Sequence, residues 1–237
     1  MNDAVRLNSF PADGCAVVVG ASGGLGRAFV DLLGASGAFA EVVGLDRRGG
    51  LDLQDEASIA RAAAALPSPP RLVIVATGVL HDDDLKPEKA LSAVTPDALA
   101  RAFAVNATGP VLVAKHFTPL FPKTGKAAFA ALSARVGSIG DNRLGGWHAY
   151  RASKAALNML VRTVAIELAR TRPEAVCLCL HPGTVETALS RPFRPGGGRA
   201  GLFTPVESAA RLLGIIDRHG PEDSGAFLDW TDSAVPW

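Results

Sequence analysis

The chain has 237 residues, is 48% hydrophobic, and carries 24 basic against 23 acidic residues for a formal net charge of +1. That is enough apolar material for a sizeable core, and the even, dispersed charge gives no bias toward nucleic acid. Three cysteines cannot complete a disulfide framework, no stretch approaches the roughly 18 apolar residues of a membrane helix, and an N-terminus with Asp3 and Asp13 is unlike a signal peptide, so a soluble cytoplasmic protein is expected.

Short β-branched runs alternate with longer helical patterns. Residues 15–19, 41–45, 72–76, 127–132, 176–180 and 226–230 read as strands. Several are apolar at consecutive positions, as in a parallel sheet covered on both faces. Residues 25–34, 56–66, 96–117, 150–170 and 205–218 read as helices. In the fourth of these Leu157, Leu160, Val161, Val164 and Leu168 mark one buried face. The alternation implies right-handed crossovers and a doubly wound sheet, and no composition shift divides the chain, so one domain over 1–237 is expected. Cys177 and Cys179, two apart on a strand, are read as facing opposite ways, with neither metal nor redox spacing. The glycine-rich patch at 194–201 reads as a loop, either a plain linker or part of a lid spanning 188–202.

The first strand runs into Gly20-Ala-Ser22-Gly23-Gly24-Leu25-Gly26 and then a helix. Glycines let backbone approach a pyrophosphate closely, and a helix N-terminus favours its charge, so this strand–loop–helix unit points to a dinucleotide. At the end of the second strand Asp46 stands where a carboxylate can accept from adenosine ribose hydroxyls, which favours NAD(H). Arg47 and Arg48 follow and could instead clamp a 2′-phosphate; a turn of solvated charges is the third alternative. Asp52 opens a third short strand and could reach the adenine edge, or could cap the helix beginning near Glu56.

The chain's only tyrosine lies in Tyr150-Arg-Ala-Ser-Lys154, where four-residue spacing puts phenol and ammonium on one helix face. A free phenol titrates near 10, too high for proton transfer at neutral pH, and a neighbouring cation lowers that value. His81-Asp82-Asp83-Asp84 reads as a solvated acidic loop, since consecutive residues rarely converge on one ion, and no metal site is assigned. No histidine completes a Ser/His/Asp set. Trp147, Trp230 and Trp237 read as core or interface anchors, with Trp147 near enough to line a site.

Gly20-x-x-x-Gly24-x-Gly26, Asn106-Ala-Thr-Gly109, Tyr150-x-x-x-Lys154 and Pro182-Gly183-x-Val185-x-Thr187, in that order, resemble the short-chain dehydrogenase/reductase family of single-domain type. Ser133-Ala-Arg-Val-Gly-Ser138-Ile and Phe227-Leu-Asp-Trp230 are similar to its C-factor-like and sniffer-type carbonyl reductase subgroup. The resemblance implies a Rossmann-like three-layer α/β/α sandwich with a mainly parallel sheet of about seven strands, and NAD or NADP at the switch point between the first strand and the one at 72–76. It implies a carbonyl or alcohol substrate and a homodimer or homotetramer. Tyr150 would be the general acid or base, Lys154 would hold the nicotinamide ribose and depress the tyrosine pKa, and Asn106 would hold a water relaying protons to Lys154. Ser133 would polarise the substrate oxygen, with Ser138 as fallback because Ala134 fills the usual paired serine position. The implied cofactor contacts are Gly20, Ser22, Gly23, Gly24, Leu25, Gly26, Asp46, Arg47, Asp52, Leu53, Ala76, Thr77, Gly78, Tyr150, Lys154, Pro182, Gly183, Val185 and Thr187. Two other readings stand beside this one. A dinucleotide-binding regulator of the same fold could turn nothing over, and an epimerase-type relative is disfavoured because such chains carry a larger C-terminal lobe.

Overall fold

The computed structural model describes residues 5–193 and 202–237; the patch at 194–201, and with it much of the expected lid, lies outside the described residues. The elements run β1 (Cys15–Val19), α1 (Gly24–Ser36), β2 (Glu41–Leu45), α2 (Glu56–Ala64), β3 (Pro70–Val75), α3 (Pro96–Phe103), α4 (Gly109–Phe117) and β4 (Ala127–Leu132). They continue with α5 (His148–Leu168), β5 (Ala175–His181), β6 (Thr184–Val185), β7 (Leu202–Phe203), α6 (Pro205–Arg218) and β8 (Ala226–Asp229).

Six strands form one fully parallel sheet in the order β2-β1-β3-β4-β5-β8, while β6 and β7 pair separately. Parallel neighbours need crossovers, and here each is helical, so both sheet faces are covered. A strand's period of two divides its apolar side chains between those faces. Cys15, Val17, Val73, Val75, Phe129 and Ala131 pack with Ile59 of α2, Val113 and Phe117 of α4 and Leu157 and Val161 of α5. Ala16, Val18, Leu72, Ile74 and Leu178 pack with Phe29 and Leu33 of α1 and Leu212 and Ile216 of α6. Each such large side chain contributes about 1.5–3 kcal/mol on burial. The result is the expected Rossmann-like three-layer sandwich.

Four expectations are corrected. Among the described residues the main sheet has six strands, not seven, and residues 51–54 turn instead of pairing: the Asp52 side chain accepts the Gln54 N–H at 2.9 Å and its carbonyl accepts the Asp55 N–H at 3.1 Å. Asp55, not Asp52, caps α2, accepting the Ala57 N–H at 3.0 Å. Cys177 and Cys179 project to the same face, as a spacing of two on a strand requires. The helix expected over 96–117 is broken by a π turn at Ala104–Thr108. Pro110 lies just beyond it, and a proline can neither donate to the carbonyl four residues back nor sit against it. The π turn lets the chain absorb that missing bond, and it places Asn106 inward.

No helix among the described residues is long and apolar enough to cross a membrane.

Candidate active site

The carboxyl ends of β1 and β3 open onto a cleft of about 520 Å³, where strand order reverses direction. Gly20 takes φ +90° to turn out of β1, donating to the Leu45 carbonyl at 2.7 Å, and a Cβ on Gly26 would overlap the Gly20 carbonyl oxygen. The loop therefore folds tightly onto the start of α1, which has no side-chain cap and no acidic residue in its first turn. Its leading N–H groups remain open to an anion. Thr187 leans on this end of the loop, its Cγ2 lying 3.0 Å from where a Gly24 Cβ would stand. Thr187 thus meets the glycine loop, while Gly183 packs against Phe203 and Trp230 and Val185 is buried in β6.

Ser22, Gly23, Asp46, Arg47, Asp52, Leu53, Ala76, Thr77 and Gly78 line the cleft together. Leu25 and Gly26 lie on the α1 side of the loop, packed toward the core. The Gly49 N–H at 2.8 Å, joined by the Ser22 hydroxyl, holds the Asp46 carboxyl below the usual carboxylate range. Thr77 Oγ1 is buried at the cleft with no hydrogen-bond partner, an orphaned group of the kind a ligand satisfies. An uncapped helix end, a glycine cradle and an unpaired hydroxyl thus fit a dinucleotide phosphate and ribose.

Beside the cleft, where Lys154 Nζ lies 3.6 Å from the place of a Gly78 Cβ, Tyr150 and Lys154 share one face of α5, and the Lys154 Nζ stands 5.9 Å from the Tyr150 ring centre. Lys154 is only 3% exposed and donates to the Leu132 carbonyl at 2.7 Å. Burial pushes the Tyr150 phenol up to about 12 and pulls the Lys154 amine down to about 8. In the free chain desolvation is the larger influence on each group. At neutral pH the phenol is protonated.

Asn106 is fully buried and bridges three segments. Its Oδ1 accepts the Val79 N–H at 2.8 Å, while Nδ2 donates to the Val79 carbonyl at 2.9 Å and to Ser153 Oγ at 3.0 Å. Ser153 in turn donates to the Tyr150 carbonyl at 2.8 Å. The amide thereby ties the loop after β3 to the Tyr150–Lys154 stretch of α5. Ser133 is 4% exposed and donates to Asn158 Oδ1 at 2.6 Å; Ser138 Oγ accepts the Asp141 N–H at 3.0 Å. Among the described residues no hydrogen bond joins either hydroxyl to Tyr150.

Trp147 extends the site as an aromatic wall, its ring 6.3 Å from Tyr150 and 5.1 Å from Phe193, with His81 5.3 Å beyond. Asp82, from the acidic loop, pairs with Arg101 at 2.5 Å. Sequence reasoning missed Asn158 and Glu88. Asn158 follows Lys154 by one helical turn, so the spacing that linked Tyr150 to Lys154 could have found it.

A family model described as short chain dehydrogenase matches residues 50–197. The C-signal protein of Myxococcus xanthus is 41% identical over 140 residues, covering 59% of this chain and 78% of that protein. The 1-hydroxy-2-glutathionyl-2-methyl-3-butene dehydrogenase of Rhodococcus sp. (strain AD45) is 30% identical over 204 residues, covering 85% and 84%. The NADPH-bound carbonyl reductase from chicken fatty liver superposes with a TM-score of 0.79 at 25% identity, over 96% of this chain and 100% of that one.

Proposed function

The chain belongs to the short-chain dehydrogenase family and is an oxidoreductase, and from that premise we propose that it reduces a carbonyl compound to an alcohol with Tyr150 as proton donor. One observation carries the reading. Lys154 Nζ stands 5.9 Å from the Tyr150 ring centre and 3.6 Å from where a Cβ on Gly78 would be, and Gly78 lines the cleft suited to a dinucleotide.

A nicotinamide dinucleotide supplies hydride when bound. The glycine loop and the open end of α1 hold its diphosphate, and Thr77 and Gly78 border it. Asp46 accepts from the adenosine ribose hydroxyls and repels a 2′-phosphate, which favours NAD(H). Arg47 and Arg48, exposed beside it, are the groups that would serve NADPH, the coenzyme named for the chicken enzyme. Lys154 binds the nicotinamide ribose, and Asn106 fixes the loop and helix that face each other there. The Tyr150 hydroxyl donates its proton to the substrate oxygen as that oxygen gains charge. For Ser133 to polarise the same oxygen, its hydroxyl must exchange Asn158 for substrate.

The test follows nicotinamide absorbance with a panel of aldehydes, ketones and quinones. Turnover should fall by about 100-fold or more in Tyr150→Phe, with coenzyme affinity kept. Asp46→Ala should raise NADPH affinity relative to NADH; no change would remove Asp46 from coenzyme choice. A second reading, a dinucleotide-binding regulator without turnover, is favoured by the engaged Ser133 hydroxyl and by the similarity to C-signal. Coenzyme binding with no turnover on any carbonyl would select it.

A further inference from the structure

Helix α5 carries both Tyr150 and Lys154, yet it begins without a cap of its own. Trp147 occupies the N-cap in the left-handed region, φ 51°, and forms no side-chain capping bond. The first N–H groups of a helix lack intrahelical acceptors, and a bulky residue with positive φ is strained. Two of these N–H groups are accepted by one residue distant in the chain. Glu88, from the segment between β3 and α3, accepts the Trp147 N–H on its carbonyl at 2.5 Å and the Ala149 N–H on Oε2 at 3.3 Å. Glu88 is 4% exposed, its Oε1 is buried without a hydrogen-bond partner, and no ion pair to it occurs among the described residues. A buried, unpaired carboxylate is costly, and what offsets the cost here is the positive end of a 21-residue helix.

From this juxtaposition we propose that Glu88 is a positioning residue, capping α5 from outside and, through Trp147 and the first helical turn, setting where the Tyr150 hydroxyl stands. The path is short. Trp147 is braced by the Glu88 carbonyl and meets the Tyr150 ring edge-on, and Tyr150 directly follows the residue whose N–H the carboxylate accepts. This inference rests on Tyr150 being the proton donor.

The experiment compares Glu88→Gln, Glu88→Asp and Glu88→Ala for kcat, KM, coenzyme affinity and the near-ultraviolet titration of the lone tyrosine. Glutamine keeps an acceptor at the same reach and should restore kcat to within about threefold. Aspartate withdraws the acceptor by one methylene, and a displacement of about 1 Å at a reacting group can cost about 100-fold. Glu88→Asp and Glu88→Ala should therefore lose kcat by about tenfold or more, with coenzyme affinity and KM little changed. In both, Tyr150 should titrate below the wild-type value as the loosened turn admits water. If Glu88→Ala does not fold, Glu88→Asp decides. Wild-type kcat and an unshifted tyrosine in Glu88→Asp would overturn the proposal, as would a loss of kcat that merely follows a loss of coenzyme binding. Should the wild type turn over no carbonyl, the Proposed function fails by that result, while the titration still judges Glu88.

Discussion

Lys154 and Tyr150 make a sharp prediction about the order in which two neighbouring groups lose their protons. The amine titrates at about 8 and the phenol at about 12, so Lys154 is already neutral when Tyr150 ionises in the free chain. Replacing the amine by an apolar side chain, Lys154→Met, should then move the tyrosine by less than about half a pKa unit. Lys154→Arg should behave oppositely, because guanidinium keeps its charge at that pH. Taking the 5.9 Å from Nζ to the ring centre as the scale of the separation, two unit charges interact by about 2.8 kcal/mol at an effective dielectric constant of about 20, or about two pKa units. The Arg variant should therefore titrate near 10. The chain's single tyrosine makes the assay specific, since tyrosinate absorbance against pH reports Tyr150 alone. A shift of two units in Lys154→Met would refute the reasoning, because it would mean that the amine remains charged beside the phenolate.

Gly26→Ala sets a methyl group on the Gly20 carbonyl oxygen; it should cost about 1–3 kcal/mol in urea unfolding and weaken coenzyme binding as the cradle shifts. Asn106→Ala removes three hydrogen bonds from a fully buried amide and strands the Val79 groups, so about 2–4 kcal/mol should be lost in the same unfolding assay. Burial opposes the charged ring of His219, but the carboxylates of Asp232 at 2.7 Å and Asp223 at 2.8 Å outweigh it and raise its pKa. The folded state thus binds the proton more tightly than the unfolded chain. This stabilisation is complete below the ordinary histidine value near 6.5 and is lost as pH rises through the folded one. Wild type should lose about 0.5–1 kcal/mol relative to His219→Gln over that window, and parallel stability profiles would contradict the pairing.

The six main strands were legible because each is apolar on both faces, a pattern that covered parallel strands cannot avoid. The glycine loop was legible for a related reason: Gly20 and Gly26 stand where backbone geometry admits no side chain. Tyr150 and Lys154 needed only helical spacing. The rest depends on contacts between distant segments. Pro110 was visible within 96–117, but periodicity alone did not show a π turn taking up its missing bond and swinging Asn106 inward. Ser133 was singled out by resemblance, yet its bond to Asn158 is a rotamer choice made across strand and helix. The opposing shifts of Tyr150 and Lys154 come from desolvation, which a four-residue spacing does not encode. Glu88 left no local signal, because the helix it caps begins some sixty residues later.

The most direct test is a crystal structure of the protein with oxidised coenzyme bound. It should place the nicotinamide ring against the Tyr150 hydroxyl, with the diphosphate over the Gly20–Gly26 loop. A tyrosine oxygen directed away from that ring, with the coenzyme in place, would contradict the assignment of Tyr150 as proton donor.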